Sequence, residues 1–490
     1  MIRKLVIENF RSIKELEMEL TGFNALIGPN SSGKSNILKA LNLIIGETYP
    51  SVRAFNEHDF CLHNKSKRIS IEVHFNKALE VNDKVWGFKL TYDGDTLNYV
   101  ALDDSGNVLC YPNSDREVKV STKMREEVTL MYLPLDRQAH HQITPSQWKL
   151  YGKLLKHIAS YIDEETKNKF KSAVEEVFDE KIFPYVENIE RQLRNFVREQ
   201  TGLDVALRLS LIDPTNILKD LRPRIKYPEN FEVDVELEGA GVQSAVAIAM
   251  ARVYAEVTNR PLVLAIEEPE LYLHPHGCRH FYRLLKELSN SGVQVVYTTH
   301  ERSFVRVEDY RSICIVRKKG LQTEVARVSS EVDDLSILKT ASKFNEELNE
   351  IFFADKVVLT EGVNDKIACG FCLEWLGVDL DKSNVSIVDC GGIEEVKSLA
   401  RILTNLGIET YALLDEDPNN AKTDRAIEEV KDILGDENVF LQTPNLEGIF
   451  NYSNGKFKQK KIRKFLSEYL EKNGVPQVYK ELKNKIFPDN

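Results

Sequence analysis

The chain has 490 residues, 65 Lys and Arg against 76 Asp and Glu for a formal net charge of −11, and 42% hydrophobic residues. That balance excludes a disordered chain and argues against a surface coated in nucleic acid, though not against a local basic channel, and at roughly 100–200 residues per domain the length calls for two to four domains. Seven scattered cysteines and no apparent secretory leader point to a reducing compartment, the cytoplasm, and no apolar run approaches the roughly 20 residues that a membrane helix needs.

Met1 to Phe10 alternates like a first β-strand. Up to about residue 135 the pattern is of short strands (5–7, 25–27, 69–75, 129–133) around one helix at 36–44. From about 145 to 201 the period becomes helical, through Tyr151, Leu154, Ile158 and Ile162, then Phe170, Val174 and Val177, then Val186, Ile189, Leu193 and Phe196, with Gly202 placed as a C-cap. This block, 141–204, reads as a helical insertion, serving either as a dimer contact or as ordinary packing on its own domain. The β/α pattern then resumes with a strand at 231–237, a helix at 243–257 and apolar strands at 262–266 and 293–299. The first domain is therefore discontinuous, 1–140 with 205–340. After a polar, helix-prone stretch at 329–350, a second α/β domain at 354–490 opens with strands at 357–360, 385–388 and 411–414 separated by helices. It ends in a basic tail.

Gly28-Pro-Asn30-Ser-Ser-Gly33-Lys34-Ser35 fits G-x-x-x-x-G-K-[ST] and lies between an apolar strand and a helix, the context that a phosphate-binding loop requires. Its glycines let backbone N–H groups face phosphate, Lys34 neutralises the β and γ phosphates, and the Ser35 hydroxyl ligates Mg²⁺. Hydrolysis also needs carboxylates at a strand end. Leu262-Val-Leu-Ala-Ile-Glu267-Glu268-Pro-Glu270 supplies Glu267 beside the metal and Glu268 as the base that activates water.

These residues resemble the ABC-type ATPase heads of the RecF and SMC kind, and more closely the OLD (overcoming lysogenization defect) family. Ile7-Glu-Asn-Phe10-Arg11-Ser12 is similar to the family's opening strand and turn, and Tyr132-Leu-Pro-Leu-Asp-Arg137 to its tyrosine, proline and arginine motif. Gly239-Ala-Gly241-Val-Gln243-Ser244 resembles its signature loop, Leu271-Tyr-Leu-His274-Pro275 its D-loop, and His300 its switch histidine. The resemblance implies ATP sites closed between two copies, Lys34 of one facing Gly241 and Ser244 of the other. The signature departs from LSGGQ, and the Q-loop glutamine is not placed, with Gln138 as one candidate. His274, His276 and His280 have spacing that zinc could use, but the D-loop explains His274 better.

The second domain presents Glu361-Gly-Val-Asn-Asp365, then Asp415-Glu-Asp417, then Glu447, each after an apolar segment. In a parallel sheet such acids gather at one edge, and an all-oxygen set suits Mg²⁺ or Mn²⁺. E-G-x-x-D followed by D-x-D resembles the TOPRIM domain. By that resemblance Asp365, Asp415, Asp417 and Glu447 hold metal, while Glu361 holds metal or handles the proton. Gly391-Gly392 lets the chain pass near the metals or is a simple turn, and Cys369-Gly-Phe-Cys372 reads as buried helix cysteines, not a redox pair. Residues 451–490 carry ten Lys and Arg against four Asp and Glu. Of these, Lys456, Lys458, Lys460, Lys461, Arg463 and Lys464 either contact DNA phosphates or form a solvated face.

The expected fold is α/β, an ABC/RecF-SMC-type P-loop ATPase head with an inserted helical lobe, followed by a Rossmann-like TOPRIM domain. The implied activity is that of a DNA endonuclease regulated or powered by a dimeric ATPase. The resemblance sets it in anti-phage defence or DNA processing, in some relatives beside a helicase-type partner as in the Gabija system. Two other readings stay open: a RecF-like ATP-switched DNA clamp that does not cut, and a TOPRIM ribonuclease acting on RNA.

Overall fold

The computed structural model describes residues 1–490 except 83, 136–143, 145, 147–148, 208–217, 219, 229–230, 272, 329–345, 417–420, 453–456 and 489–490. Asp417, Arg137, Gln138, Tyr272 and Lys456 thus lie outside the described residues. The chain divides into two units, Met1–Val128 with Val263–Asn490, and Thr129–Leu262. Among the described residues no helix is long and apolar enough to cross a membrane.

The first unit begins with strands β1 (Ile2–Phe10), β2 (Ile13–Glu19) and β3 (Phe23–Ile27) and helix α1 (Lys34–Ile45). Strands β4 (Ile69–Phe75), β5 (Gly87–Tyr92) and β6 (Leu97–Leu102) and helix α2 (Thr122–Glu126) follow. Five of the strands form an antiparallel sheet in the order β2-β1-β4-β5-β6. The α1 residues Ile37, Leu38, Leu41, Ile44 and Ile45 are buried, the i, i+4, i+7 stripe of a core-facing helix.

The second unit holds β7 (Thr129–Leu133) and three helices, α3 (Leu150–Ala159), α4 (Glu164–Val177) and α5 (Phe183–Thr201). Phe178–Ile182 winds as a π-helix between the last two. Pro184 sits in the first turn of α5, where no N–H is needed, and Gly202 ends it in the left-handed conformation (φ 75). The expected strand at 231–237 is much shorter. A two-stranded ladder of β8 (Arg224–Lys226) and β9 (Glu232–Asp234) gives way to a 3-10 turn at Val235–Leu237. That turn presents the Glu236 and Glu238 carbonyls to the buried Gln243 amide, at 3.1 and 2.8 Å, at the start of α6 (Ala240–Thr258). Side-chain capping therefore overrides the alternating pattern.

The first unit continues with β10 (Leu262–Glu267), α7 (Pro275–Asn290), β11 (Gln294–Thr299) and the hairpin β12 (Ile313–Lys319) and β13 (Gln322–Arg327). Parallel strands β10, β11, β3 and β12 lie in that order, with β13 antiparallel at the edge. Beyond them come β14 (Lys356–Thr360), α8 (Val363–Trp375), β15 (Val385–Asp389), α9 (Ile393–Asn405) and β16 (Glu409–Asp415). Next are α10 (Ala421–Leu434), β17 (Val439–Gln442) and the short α11 (Leu446–Ile449). The four strands are all parallel, in the order β15-β14-β16-β17.

The basic tail is largely structured as α12 (Gln459–Asn473) and α13 (Gln477–Ile486), which pack on α8. Ile462, Leu466 and Leu470 repeat every four residues, and with Tyr479, Leu482 and Ile486 they are fully buried. At roughly 1.5–3 kcal/mol per large side chain buried, these helices are part of the domain's core. They are not a loose arm.

Candidate nucleotide and metal sites

The phosphate loop follows β3 and is shaped by residues that tolerate positive φ, Gly28 (φ 146), Ser31 (φ 61) and Gly33 (φ 112). A Cβ on Gly28 would lie 2.0 Å from the Val316 carbonyl oxygen, and one on Gly33 2.2 Å from Thr323 Oγ1, so close packing as well as backbone conformation demands glycine at both positions. Lys34 is buried and donates from Nζ to the Gly28 and Pro29 carbonyls at 2.8 and 2.9 Å. Burial lowers its pKa to about 8, against the pull of Glu268 and Glu270. Asn30 is exposed on the loop.

Ser35 Oγ donates to Glu267 Oε2 at 3.0 Å, which brings together the hydroxyl and carboxylate expected at a magnesium ion. Glu268 adopts φ 45, rare for a side chain of its size, and its N–H is held by the Thr298 carbonyl at 3.0 Å. This turns its carboxylate to within 3.7 Å of His300 Nε2. Burial and Lys34 push His300 below its usual pKa, while Glu268 raises it. Lys34, Ser35, Glu267, Glu268 and His300 therefore share one edge of the sheet. Next to them, Glu270 accepts from Thr299 Oγ1 and the His300 N–H at 2.9 and 2.7 Å, and burial raises its carboxyl. Gly241 and Ser244 lie in the first turns of α6 in the second unit, and the buried Ser244 Oγ has no partner among the described residues.

His274 is accounted for as a helix cap, since its Nδ1 accepts from the Gly277 N–H at 2.9 Å at the start of α7. His276 Nδ1 is 2.8 Å from Arg279 Nη2. Cys369 and Cys372 are buried in α8, where burial raises both thiols, Cys372 to about 12, the opposite of a reactive thiolate.

In the later sheet the strand ends bring the acids to one edge. Glu361 follows β14, Asp389 ends β15, Asp415 ends β16, and Asp365 and Glu447 sit in the first turns of α8 and α11. Glu361 Oε1 accepts from the Asp415 N–H at 3.0 Å, and Asp415 Oδ1 from the Leu446 N–H at 2.9 Å. Glu447 Oε1 accepts from the Phe457 N–H at 3.1 Å. Burial raises the Asp365 carboxyl, with Glu447 and Asp389 adding to the shift. Among the described residues no three acids gather closely enough to hold a cation as they stand. The donor set is nonetheless all oxygen, and one oxygen of each of Glu361, Asp365, Asp415 and Glu447 is oriented by a protein donor.

The pattern of acids leaves out Gln442. Fully buried at the end of β17, it donates from Nε2 to Asp365 Oδ1 at 2.8 Å and to Asp415 Oδ1 at 3.1 Å, while its Oε1 accepts from the buried Tyr479 hydroxyl at 2.7 Å. One amide thus sets the spacing of two carboxylates. The only local signal is its place after the apolar Val439-Phe-Leu run. Gln442→Ala is expected to lower metal-dependent activity and metal affinity by roughly 10–100-fold, the usual cost of losing a group that orients ligands, with the fold retained. Titration of Mn²⁺ into wild type and variant checks this, and equal affinities would remove Gln442 from the site.

Near these acids, Lys366, Asp389, Gly391 and Arg463 help line a groove of about 640 Å³ that Arg302 and Glu350 also border. Gly391 and Gly392 both have positive φ (80 and 150), with the Gly391 N–H donating to Asp389 at 3.0 Å. Lys460, Arg463 and Lys464 are exposed on α12 at i, i+3 and i+4 and share one face.

A family model described as an AAA ATPase domain matches residues 1–125 and 111–305. A second, the TOPRIM domain of overcoming lysogenization defect protein-like chains, matches residues 352–417. The OLD nuclease of Thermus scotoductus is 27% identical over 488 residues, covering 91% of this chain and 91% of its own length. The Old nuclease of Escherichia phage P2 is 25% identical, covering 90% and 81%, and endonuclease GajA of Bacillus cereus is 20% identical, covering 98% and 85%.

Proposed function

The chain belongs to the AAA ATPase-domain family and joins that head to an OLD-like TOPRIM domain, and from this pairing we propose a DNA endonuclease that uses Mg²⁺ or Mn²⁺ and is controlled by ATP. The observation that carries the reading is the gathering of Asp365 and Asp415 on the single Gln442 amide, at the sheet edge that also holds Glu361 and Glu447. Glu361, Asp365, Asp415 and Glu447 would hold the cation, with Asp417 as a further candidate. When bound, it supplies an activated water and neutralises the leaving oxygen of a phosphodiester. The protein's own part is to orient. Gln442 and Tyr479 fix the carboxylate spacing, and the Leu446 and Asp415 N–H groups fix which oxygens face inward.

At the other site the loop N–H groups and Lys34 bind the phosphates, Ser35 and Glu267 bracket the magnesium position, and Glu268 beside His300 takes the proton of the attacking water. Ser244, with a buried hydroxyl that has no partner among the described residues, is the group that would cap a nucleotide held by a second copy. The exposed stripe Tyr185, Ile189, Leu193 and Phe196 on α5 supports a homodimer through the helical lobe. The likeness to OLD-type nucleases along nearly the whole chain supports a role in defence against phage.

Supercoiled plasmid nicking with Mg²⁺ or Mn²⁺, with and without ATP, tests the activity. Cutting of RNA but not plasmid would favour the ribonuclease reading, and metal-independent DNA binding without cutting would favour the clamp. Reversing Lys460, Arg463 and Lys464 to Glu is expected to weaken plasmid binding more than tenfold and to flatten its logarithmic salt dependence by about 0.9 for each phosphate no longer neutralised. An unchanged salt slope would make that helix face a solvated surface only.

A further inference from the structure

The β12–β13 hairpin contacts the phosphate loop and the starts of two strands whose far ends carry the acids. On one side it backs the phosphate loop. The Val316 carbonyl leaves no room beside Gly28, and the buried Thr323 Oγ1 donates to the Ser32 carbonyl at 2.8 Å. The same hydroxyl accepts from Ser12 Oγ at 2.8 Å, which accepts from Asn36 Nδ2 at 2.9 Å, so hydrogen bonds run from the first turn of α1 through the hairpin and back to the loop. One residue beyond Val316, Arg317 donates from Nη1 to the Gly407 carbonyl at 2.6 Å and from Nη2 to the Ala354 carbonyl at 3.1 Å.

Those two carbonyls lie just ahead of β16 and β14, neighbouring parallel strands in which Lys356 pairs with Glu409. The far ends of the same strands carry Asp415 and Glu361. A second link, Arg302 to Glu350 at 3.6 Å, is solvent-exposed on both sides and contributes little.

We propose that Arg317 is a positioning residue of the nuclease centre, tying the starts of β14 and β16 to the hairpin behind the phosphate loop so that nucleotide occupancy sets the spacing of Glu361 and Asp415. It rests on reading the acid cluster as the nuclease site. The physical basis is close packing. When Lys34 turns from the Gly28 and Pro29 carbonyls to phosphate, the loop must readjust, and Gly28 has no space against Val316 to absorb the movement locally. The displacement passes into the hairpin and, through the two Arg317 hydrogen bonds, to the starts of β14 and β16.

The test compares wild type, Arg317→Ala, Arg317→Lys and Thr323→Val as full chains, with and without a non-hydrolysable ATP analogue. Hydrogen exchange is read over residues 354–361 and 407–415, and plasmid cleavage is read as kcat and KM. In wild type both segments change protection when nucleotide binds. In Arg317→Ala that change disappears and the ratio of kcat with to without nucleotide falls to 1, while nucleotide affinity and KM stay as in wild type. Arg317→Lys, able to reach one carbonyl, restores part of the ratio.

Should Arg317→Ala fail to fold, Thr323→Val, nearly isosteric and opposite Lys318 on the hairpin's other strand, must produce the same uncoupling. An Arg317→Ala chain that keeps the wild-type exchange response, or a wild type with no response in these segments, overturns the proposal. Hydrogen exchange does not depend on cleavage. A wild type that never cuts DNA therefore counts against the nuclease reading and leaves the coupling to be decided on its own.

Discussion

Asp415→Asn is expected to reduce metal-dependent plasmid nicking by at least about 10³-fold, because under the proposed function Asp415 is a negative ligand of the cation, whose Lewis-acid contribution is worth several kcal/mol. Asparagine is the informative replacement. Its carbonyl can still accept from the Leu446 N–H and Gln442 Nε2, which are 2.9 and 3.1 Å from Asp415 Oδ1. Alanine would leave the Leu446 N–H without this partner and the Gln442 amide with Asp365 alone, and would mix a folding defect into the result. Nucleotide affinity, set by distant residues, should stay within about twofold of wild type. Wild-type nicking by this variant would place the catalytic carboxylates elsewhere.

Lys34→Ala should weaken ATP binding on the order of 10²–10³-fold, through loss of a charge-assisted hydrogen bond to phosphate in a buried loop. Lys34 lies inside the loop, where the Gly28 and Pro29 carbonyls hold its ammonium until phosphate takes their place. The acid cluster contains no loop residue, so Mn²⁺ affinity there should be unchanged. Titration with a fluorescent ATP analogue measures the loss, and equal affinity in wild type and variant would remove the phosphate-loop assignment. Lys34→Met, which keeps the aliphatic stem, separates the missing charge from the missing volume.

The two motifs differ in how far local sequence specifies them. The phosphate loop is legible because all its parts fall within eight contiguous residues, Gly28 to Ser35, and each residue type has its own local job. Glu267 and Glu268 are legible for a similar reason, since an apolar strand ending in acids marks a buried strand whose carboxylates emerge at its edge. In the second domain Glu361 and Asp365 stand out as one turn after a strand, and Asp415 as a strand end. Their meeting requires the parallel sheet order β15-β14-β16-β17. The basic tail is misleading in one respect. Its charge is plain, but that charge masks the Ile462, Leu466 and Leu470 repeat that builds the tail into the core.

The short ladder at β9 shows the opposite failure, an alternating run that reads as a full strand until the Gln243 amide claims its last carbonyls. By itself, then, the sequence determined the phosphate-loop motif, the acids at the strand ends of both domains, and the α/β framework on which they sit. Each of these motifs is written in a short contiguous run of residues.

Only the tertiary structure decided how the groups are held. Gln442 meets Asp365 across 77 positions and Tyr479 across 37, Thr323 meets Ser32 across 291, and Arg317 meets Gly407 across 90. Each of these is a hydrogen bond between groups that have no periodic or neighbouring signal of the pairing. It exists because packed strands bring a donor to an acceptor far away in sequence, and where the pair is buried, as at Gln442 and Thr323, the acceptor would otherwise give up its water with nothing in return.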